Sequence, residues 1–222
     1  MQRRSGIGRW MLPWLVLAAF ITASSAFAAT YETVGTIPGL GSAHVVSYSL
    51  EGQAGSAYAV GFDSKLDGVS GVSFCGDLLH TINVPGAYDA NPIDLSSLSA
   101  GYGTAAKIAQ RWSFDLGSLG SNLADGAAGV QLAIWETIYG ASFTITSSLG
   151  SGTLAAYQTV LGTDYSNAGV GDTVFLDVTK SGQAKQDHFF TPDGPATPEP
   201  GAALLFAAGL VVVARGFRRE PA

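Results

Sequence analysis

Two residues have side chains that could react with each other. Cys75 is the single cysteine of the 222 residues, so no internal disulfide can form. Gln131 lies in an apolar segment that has the spacing of a helix, and it falls on the stripe of that helix that faces the protein core. The other members of that stripe are Ile134, Trp135 and Ile138. Burying an amide without partners costs a few kcal/mol, so Gln131 needs either hydrogen bonds or a chemical reason for its position.

One reaction accounts for both residues. Attack of the Cys75 thiolate on the side-chain carbonyl of Gln131 expels ammonia and leaves an internal thioester. The 56 residues between the two are no obstacle, because the fold makes the contact. Two simpler interpretations stay open: Cys75 packs as a small buried hydrophobe, and Gln131 is a hydrogen-bonded core amide.

The elements that position these residues are a strand and a helix. The strand is predicted over residues 71–79, and its period of two puts Cys75 on the same face as Asp77 and opposite Phe74. The helix is predicted over residues 126–139, with Asp125 as its N-cap and a glycine as its stop.

Three segments together resemble the thioester domains of bacterial surface proteins. They are the strand sequence Phe-Cys-Gly-Asp-Leu-Leu-His-Thr-Ile at 74–82, Lys-Ile-Ala at 107–109 and Val-Gln-Leu-Ala-Ile-Trp-Glu at 130–136. The resemblance covers roughly residues 31–190. It implies that Cys75 and Gln131 form the thioester. Phe74 and Trp135 would pack around the bond, with Asp77 and Glu136 as auxiliary polar residues.

One position departs from this family pattern. Gly76 stands directly after the cysteine, where the family leads us to expect a larger apolar or aromatic residue that shields the bond from water. Family members use the thioester as an adhesive electrophile that captures a nucleophile, typically a lysine amine. The resemblance therefore implies covalent attachment to a surface amine or hydroxyl, with no turnover and no cofactor.

Two other functions compete with this one. The first is a structural matrix protein whose Cys75 stays reduced and inert. The second is a Cys-His enzyme, which the strand pattern disfavours because it puts His80 on the face opposite Cys75. His44 and His188 could approach the cysteine only through the fold. Three scattered histidines without a cysteine cluster also predict no metal site.

The N-terminal residues 1–29 have the pattern of a secretory signal peptide. Three arginines precede an apolar run from residue 11 to 20, and Ala-Phe-Ala at 26–28 is a typical signal peptidase site. A retained transmembrane helix is the alternative, but the apolar run is shorter than the ~20 residues of a bilayer span.

The C-terminal residues carry a second targeting pattern. Pro198, Glu199 and Pro200 are followed by a 14-residue apolar stretch and a basic cluster. That cluster is Arg215, Arg218 and Arg219. This order resembles the PEP-CTERM sorting signal of Gram-negative bacteria, which implies cleavage by the membrane protease exosortase. An ordinary C-terminal anchor helix is the alternative.

These patterns divide the chain into a signal peptide (1–29), a passenger domain (30–190), a proline-rich linker (191–200) and a sorting helix with a basic tail (201–222). Both targeting signals imply export through an inner-membrane intermediate to the cell surface or to an extracellular polysaccharide matrix. The expected partners are signal peptidase, exosortase and a polysaccharide or other surface target. Residues 30–197 hold five Lys and Arg against fifteen Asp and Glu, and this acidic balance argues against nucleic acid as a partner.

The passenger is predicted to be an α+β domain. Strands are predicted at 31–36, 44–50, 58–62, 71–79, 142–146, 173–179 and 188–190, and helices at 104–112, 126–139 and 153–161. Strands dominate the two ends of the domain and helices its middle. This order favours a β-sandwich or β-barrel with a helical insertion.

Overall fold

A computed structural model describes residues 28–40, 43–120 and 122–194. The strands are β1 (Ala29–Thr36), β2 (His44–Leu50), β3 (Gln53–Ala59), β4 (Gly61–Leu66), β5 (Val69–Cys75), β6 (Gly86–Ile93), β7 (Phe143–Ile145), β8 (Val174–Lys180), β9 (Gln183–Ala184) and β10 (His188–Pro192). The helices are α1 (Ala100–Ser113), α2 (Leu123–Tyr139) and α3 (Ser151–Gly162).

Six antiparallel strands form a closed barrel in the order β10, β5, β4, β1, β6 and β8, and the pairing of β8 with β10 closes the ring. The short strand β9 extends β8. One apolar cluster of the barrel consists of Tyr31, Tyr88, Ala90, Leu176, Val178 and Phe190. A separate antiparallel sheet has the order β3, β2, β7. The barrel places β5 and β10 side by side, which matters for the site.

Helix α2 is the central element of the second and larger core. Eleven of its seventeen residues are buried, as a helix that is apolar on nearly all sides requires. It packs against both other helices and against strands of both sheets. Helix α3 approaches at Gly129, where an added Cβ would lie 2.6 Å from the backbone nitrogen of Tyr157. The fold thus buries Gln131 among helices and strands on every side.

The structure confirms the α+β class and the barrel with a helical insertion between β6 and β8. The predicted strand 58–62 is wrong, because β3 ends at Ala59 and β4 begins at Gly61 in a different sheet. Strand β6 was missed, since Pro92 and its polar residues weaken the strand pattern. The predicted signal peptide, the Pro-Glu-Pro motif and the sorting helix lie outside the described residues.

None of the helices in the described ranges combines the length and the hydropathy that crossing a bilayer needs.

Candidate functional site

The structure brings the predicted pair Cys75 and Gln131 together. The backbone N–H of Cys75 donates to Gln131 Oε1 at 2.8 Å, and Gln131 Nε2 donates to the Cys75 carbonyl at 2.8 Å. Strand β4 begins at Gly61, which pairs with Phe74, so the amide of Gln131 takes the place of a neighbouring strand beside Cys75. Both residues are buried. The amide therefore has the partners that its burial demands.

The side chain of Cys75 is almost fully buried from solvent, at the edge of a cavity. The residue is 2 % exposed, and it lines a cavity of about 500 Å³ between the barrel, the β2–β3 hairpin and the segment that follows β5. Burial, and secondly the charge of Asp77, raises the pKa of the Cys75 thiol. The unreacted side chain is therefore a neutral thiol at ordinary pH.

The predicted strand 71–79 is too long, because β5 ends at Cys75 and Asp77 folds the chain into a turn. Its carboxylate accepts hydrogen bonds from the backbone N–H groups of Leu79 (2.7 Å), His80 (2.9 Å) and Asp187 (2.8 Å). Such local bonds from an aspartate replace the strand ladder. Asp77 therefore does not lie on the same strand face as Cys75, contrary to the prediction from the sequence.

Further hydrogen bonds fix the turn to its surroundings. Gln186 Nε2 donates to the Asp77 carbonyl at 2.8 Å, and the backbone N–H of Leu78 donates to the hydroxyl of Tyr139, near the end of α2, at 3.0 Å. Burial raises the pKa of Asp187 to about 6, and the charges of Asp77 and Asp177 add to the effect. The backbone N–H of Val178 donates to Asp187 Oδ1, and this hydrogen bond partly offsets the rise of the pKa.

The prediction that His80 lies on the face opposite Cys75 was wrong, because it assumed that the strand continues to residue 79, whereas β5 ends at Cys75. His80 lines the same cavity as Cys75, and its Nδ1 lies 3.4 Å from Asp77 Oδ1. The helix start was also misplaced. Asn122 caps α2 by accepting from the N–H of Ala124, whereas Asp125 lies in the first turn.

The predicted packing residues are buried, but they do not enclose the thiol by themselves. Phe74 and Trp135 are both fully buried, and the Trp135 ring packs edge-on against Phe143 with centroids 6.3 Å apart. Phe74 precedes Cys75 in β5 and so points to the opposite face. Glu136 is half-buried on α2.

The glycine after the cysteine has a physical reason. A Cβ at Gly76 would lie 2.5 Å from a ring atom of Phe175. The ring of Phe175 therefore occupies the space in which the family pattern led us to expect a larger residue at 76. The ring beside Gly76 thus comes from Phe175 of β8 and not from residue 76 itself.

One buried residue beside the cysteine was not among the predicted site residues, although the sequence left open that the fold could bring it there. His188 pairs with Cys75 in the β5–β10 ladder and has no exposed surface. Its ring lies against Tyr31 and Phe62, with centroids 5.1 and 5.5 Å apart. Neither ring nitrogen has a hydrogen-bond partner among the described residues, and burial lowers the pKa of His188 to about 3. The signal was a histidine directly before two phenylalanines in a predicted strand.

The predicted sorting residues Pro198, Glu199, Pro200, Arg215, Arg218 and Arg219 lie outside the described part of the chain. Within that part, no three metal-ligating side chains converge. Comparison of the chain with protein-family models, with curated proteins and with solved structures gave no match.

Proposed function

We propose that the chain is an exported surface or matrix protein that forms an internal thioester between Cys75 and Gln131 and uses it for covalent attachment. The pattern of residues 1–29 and the tail after Pro198 support export and release by an exosortase-type protease. We expect a binding role without turnover and without a cofactor.

The observation that carries the proposal is the pair of reciprocal hydrogen bonds between Cys75 and Gln131. They hold the side-chain carboxamide against the residue that bears the thiol, which converts a bimolecular reaction into an intramolecular one. The bond from the Cys75 N–H to Oε1 also stabilises the negative charge that this oxygen gains when sulfur attacks its carbon.

The proposed reaction is balanced without any co-reactant. The sulfur of Cys75 forms a bond to Cδ of Gln131, the bond between Cδ and Nε2 breaks, and the thiol proton leaves with the nitrogen as ammonia. In the second step, an amine or hydroxyl of the target attacks Cδ, the bond between Cδ and sulfur breaks, and the proton lost by the nucleophile passes to the sulfur, which leaves as the free thiol of Cys75. Exclusion of water from the buried pair keeps the thioester from hydrolysis in between.

The cavity of about 500 Å³ gives the target a path to the bond, because Cys75 forms part of its wall. Tyr48, Tyr58 and Phe62 supply much of the apolar lining, and His80 with Gln186 supplies polar groups. None of the described residues that line this cavity is an aspartate, glutamate, lysine or arginine. Such a cavity fits the uncharged form of a lysine amine or a sugar hydroxyl.

The test is the intact mass of freshly folded, mature protein. We expect it to be lower than the sequence mass by one ammonia, and we expect methylamine to add to the protein and release the thiol. Cys75→Ser and Gln131→Glu are the matched controls, since each removes one reacting group and keeps the size of the side chain. A full sequence mass in the folded wild-type protein contradicts the proposal.

A second candidate is a structural matrix protein in which Gln131 only anchors the end of β5. The full pairing of its amide and the raised pKa of the Cys75 thiol favour this alternative. It predicts quantitative maleimide labelling of unfolded wild-type protein, with no change after methylamine. In a thioester protein, labelling depends on prior release of the thiol by an amine or by hydrolysis.

A further inference from the structure

His188 is a buried imidazole for which the stability of the fold gives no reason. Both nitrogens lack a hydrogen-bond partner among the described residues, and burying such polar atoms costs free energy. A leucine or phenylalanine at this position would pack against Tyr31 and Phe62 without that cost. A group kept at such a cost is a candidate for a chemical role.

The side chains of His188 and Cys75 share one face of the barrel sheet. The two residues are directly opposite in the antiparallel β5–β10 pair, and side chains at such positions lie next to each other on the same face. The position of Phe62 supports the placement of His188 and Cys75 on the same face. It pairs with Ser73, two residues before Cys75, and it contacts the His188 ring.

We propose that His188 is the catalytic base of thioester formation: it takes the proton from the Cys75 thiol during attack and delivers it to the leaving nitrogen of Gln131. The inference rests on the proposed thioester. The histidine is neutral before and after the reaction, because the proton that it accepts departs with ammonia. The products are the bond between sulfur and Cδ and one molecule of ammonia.

The surroundings explain why a base is needed. Burial and the charge of Asp77 disfavour the Cys75 thiolate, so the thiol cannot rely on prior ionisation. Burial lowers the pKa of His188, so its ring is neutral at ordinary pH, and its nitrogens have no other hydrogen-bond partner among the described residues.

Among the residues that the structure describes, no other group beside the thiol is as free to take the proton. The titratable groups that face His188 are Tyr31 from β1 and Cys75 itself, with Tyr88 behind Tyr31. The Tyr31 hydroxyl is hydrogen-bonded to Ser64 and Ser73, and burial raises its pKa. The Asp77 carboxylate already accepts three backbone N–H groups.

The experiment follows the loss of ammonia by intact mass after refolding of reduced, denatured protein between pH 7 and 9. In the wild-type protein we expect a rate that is nearly constant over this range, because the ring is neutral throughout. In His188→Phe we expect the rate to fall at least ~100-fold. The remaining rate should rise about tenfold per pH unit, as the thiolate concentration does. His44→Phe is the control and should match the wild type, because His44 is the first residue of β2 and its ring lies beside Asp125.

The outcomes separate the two proposals. No ammonia loss in the wild type overturns the thioester, and the role of His188 with it. Ammonia loss in His188→Phe with the wild-type rate and pH profile overturns the role of His188 alone. If His188→Phe does not fold, the wild-type profile decides: a rate that rises about tenfold per pH unit contradicts an internal base.

Discussion

The carboxylate of Asp77 accepts a hydrogen bond of 2.8 Å from the backbone N–H of Asp187, which joins the segment after β5 to the segment before β10. Cys75 lies two residues before one partner, and His188 directly follows the other. One carboxylate thus aligns the two strand ends that carry the thiol and the imidazole. The stability of this connection and the charges around it can be measured separately from the thioester.

Asp77→Ala should lower the free energy of unfolding by about 2 kcal/mol, because three backbone N–H groups lose a charged acceptor at once. Asp77→Asn should cost less, since one oxygen of the amide still accepts. Denaturant unfolding of both variants checks this. Asp172→Ala, at an exposed aspartate, is the control and should change the stability little. An equal loss of stability in Asp172→Ala would contradict the role of the Asp77 carboxylate as a buried acceptor of backbone hydrogen bonds.

Asp187→Asn should raise the stability at pH 7 by about 1 kcal/mol, a value reduced for the partial exposure of the side chain. An acid whose pKa is raised by folding binds its proton more tightly in the folded state. Its ionisation therefore destabilises the fold above about pH 6, and this cost disappears as the pH falls toward about 4. The amide can still accept from Val178. Urea unfolding of the wild type and of Asp187→Asn at pH 7 and pH 4 is the measurement. If the variant is still the more stable protein at pH 4, the ionisation of Asp187 is not what destabilises the wild type.

His188→Phe should make the protein more resistant to acid. The pKa of His188 is lowered to about 3 by folding, so between pH 6.5 and about 3 only the unfolded chain binds the proton. The wild type should therefore lose stability relative to the variant by up to about 1.4 kcal/mol per pH unit as the pH falls through this window. Unfolding curves at pH 7, 6, 5 and 4 test it. A constant difference between the two proteins would show that the ring titrates normally.

The sequence predicted the pair at the centre of the site because both residues violate a local rule. A lone cysteine and an amide on the apolar stripe of a helix are visible without any knowledge of the fold. The structure then brought Cys75 and Gln131 into contact across 56 residues. The class of the fold followed from the order of strands and helices in the same way.

The rest of the site could not be predicted, because it depends on where β5 ends and which strand lies beside it. The apolar run 71–79 suggested a longer strand, and only the bonds accepted by Asp77 show that the chain turns there. His188 is 113 residues from Cys75, and no local pattern indicates that β10 pairs with β5. Register between distant strands is set by tertiary packing, which a single sequence does not reveal.

The ring of Phe175 packs directly against Gly76. Gly76→Ala should lower the stability by about 1–3 kcal/mol, because the new Cβ would lie 2.5 Å from the Phe175 ring. Phe175→Leu removes those ring atoms at its own cost, so the double variant should be more stable than the sum of the two losses predicts, by about 1 kcal/mol. Gly103→Ala in α1 is the control, since an added methyl there meets nothing within 4 Å and should stabilise the helix. Denaturant unfolding of the wild type, the two single variants and the double variant gives the interaction energy between residues 76 and 175. Strictly additive losses would mean that Phe175 does not fill the space beside Gly76, and the glycine at this position would then have another cause.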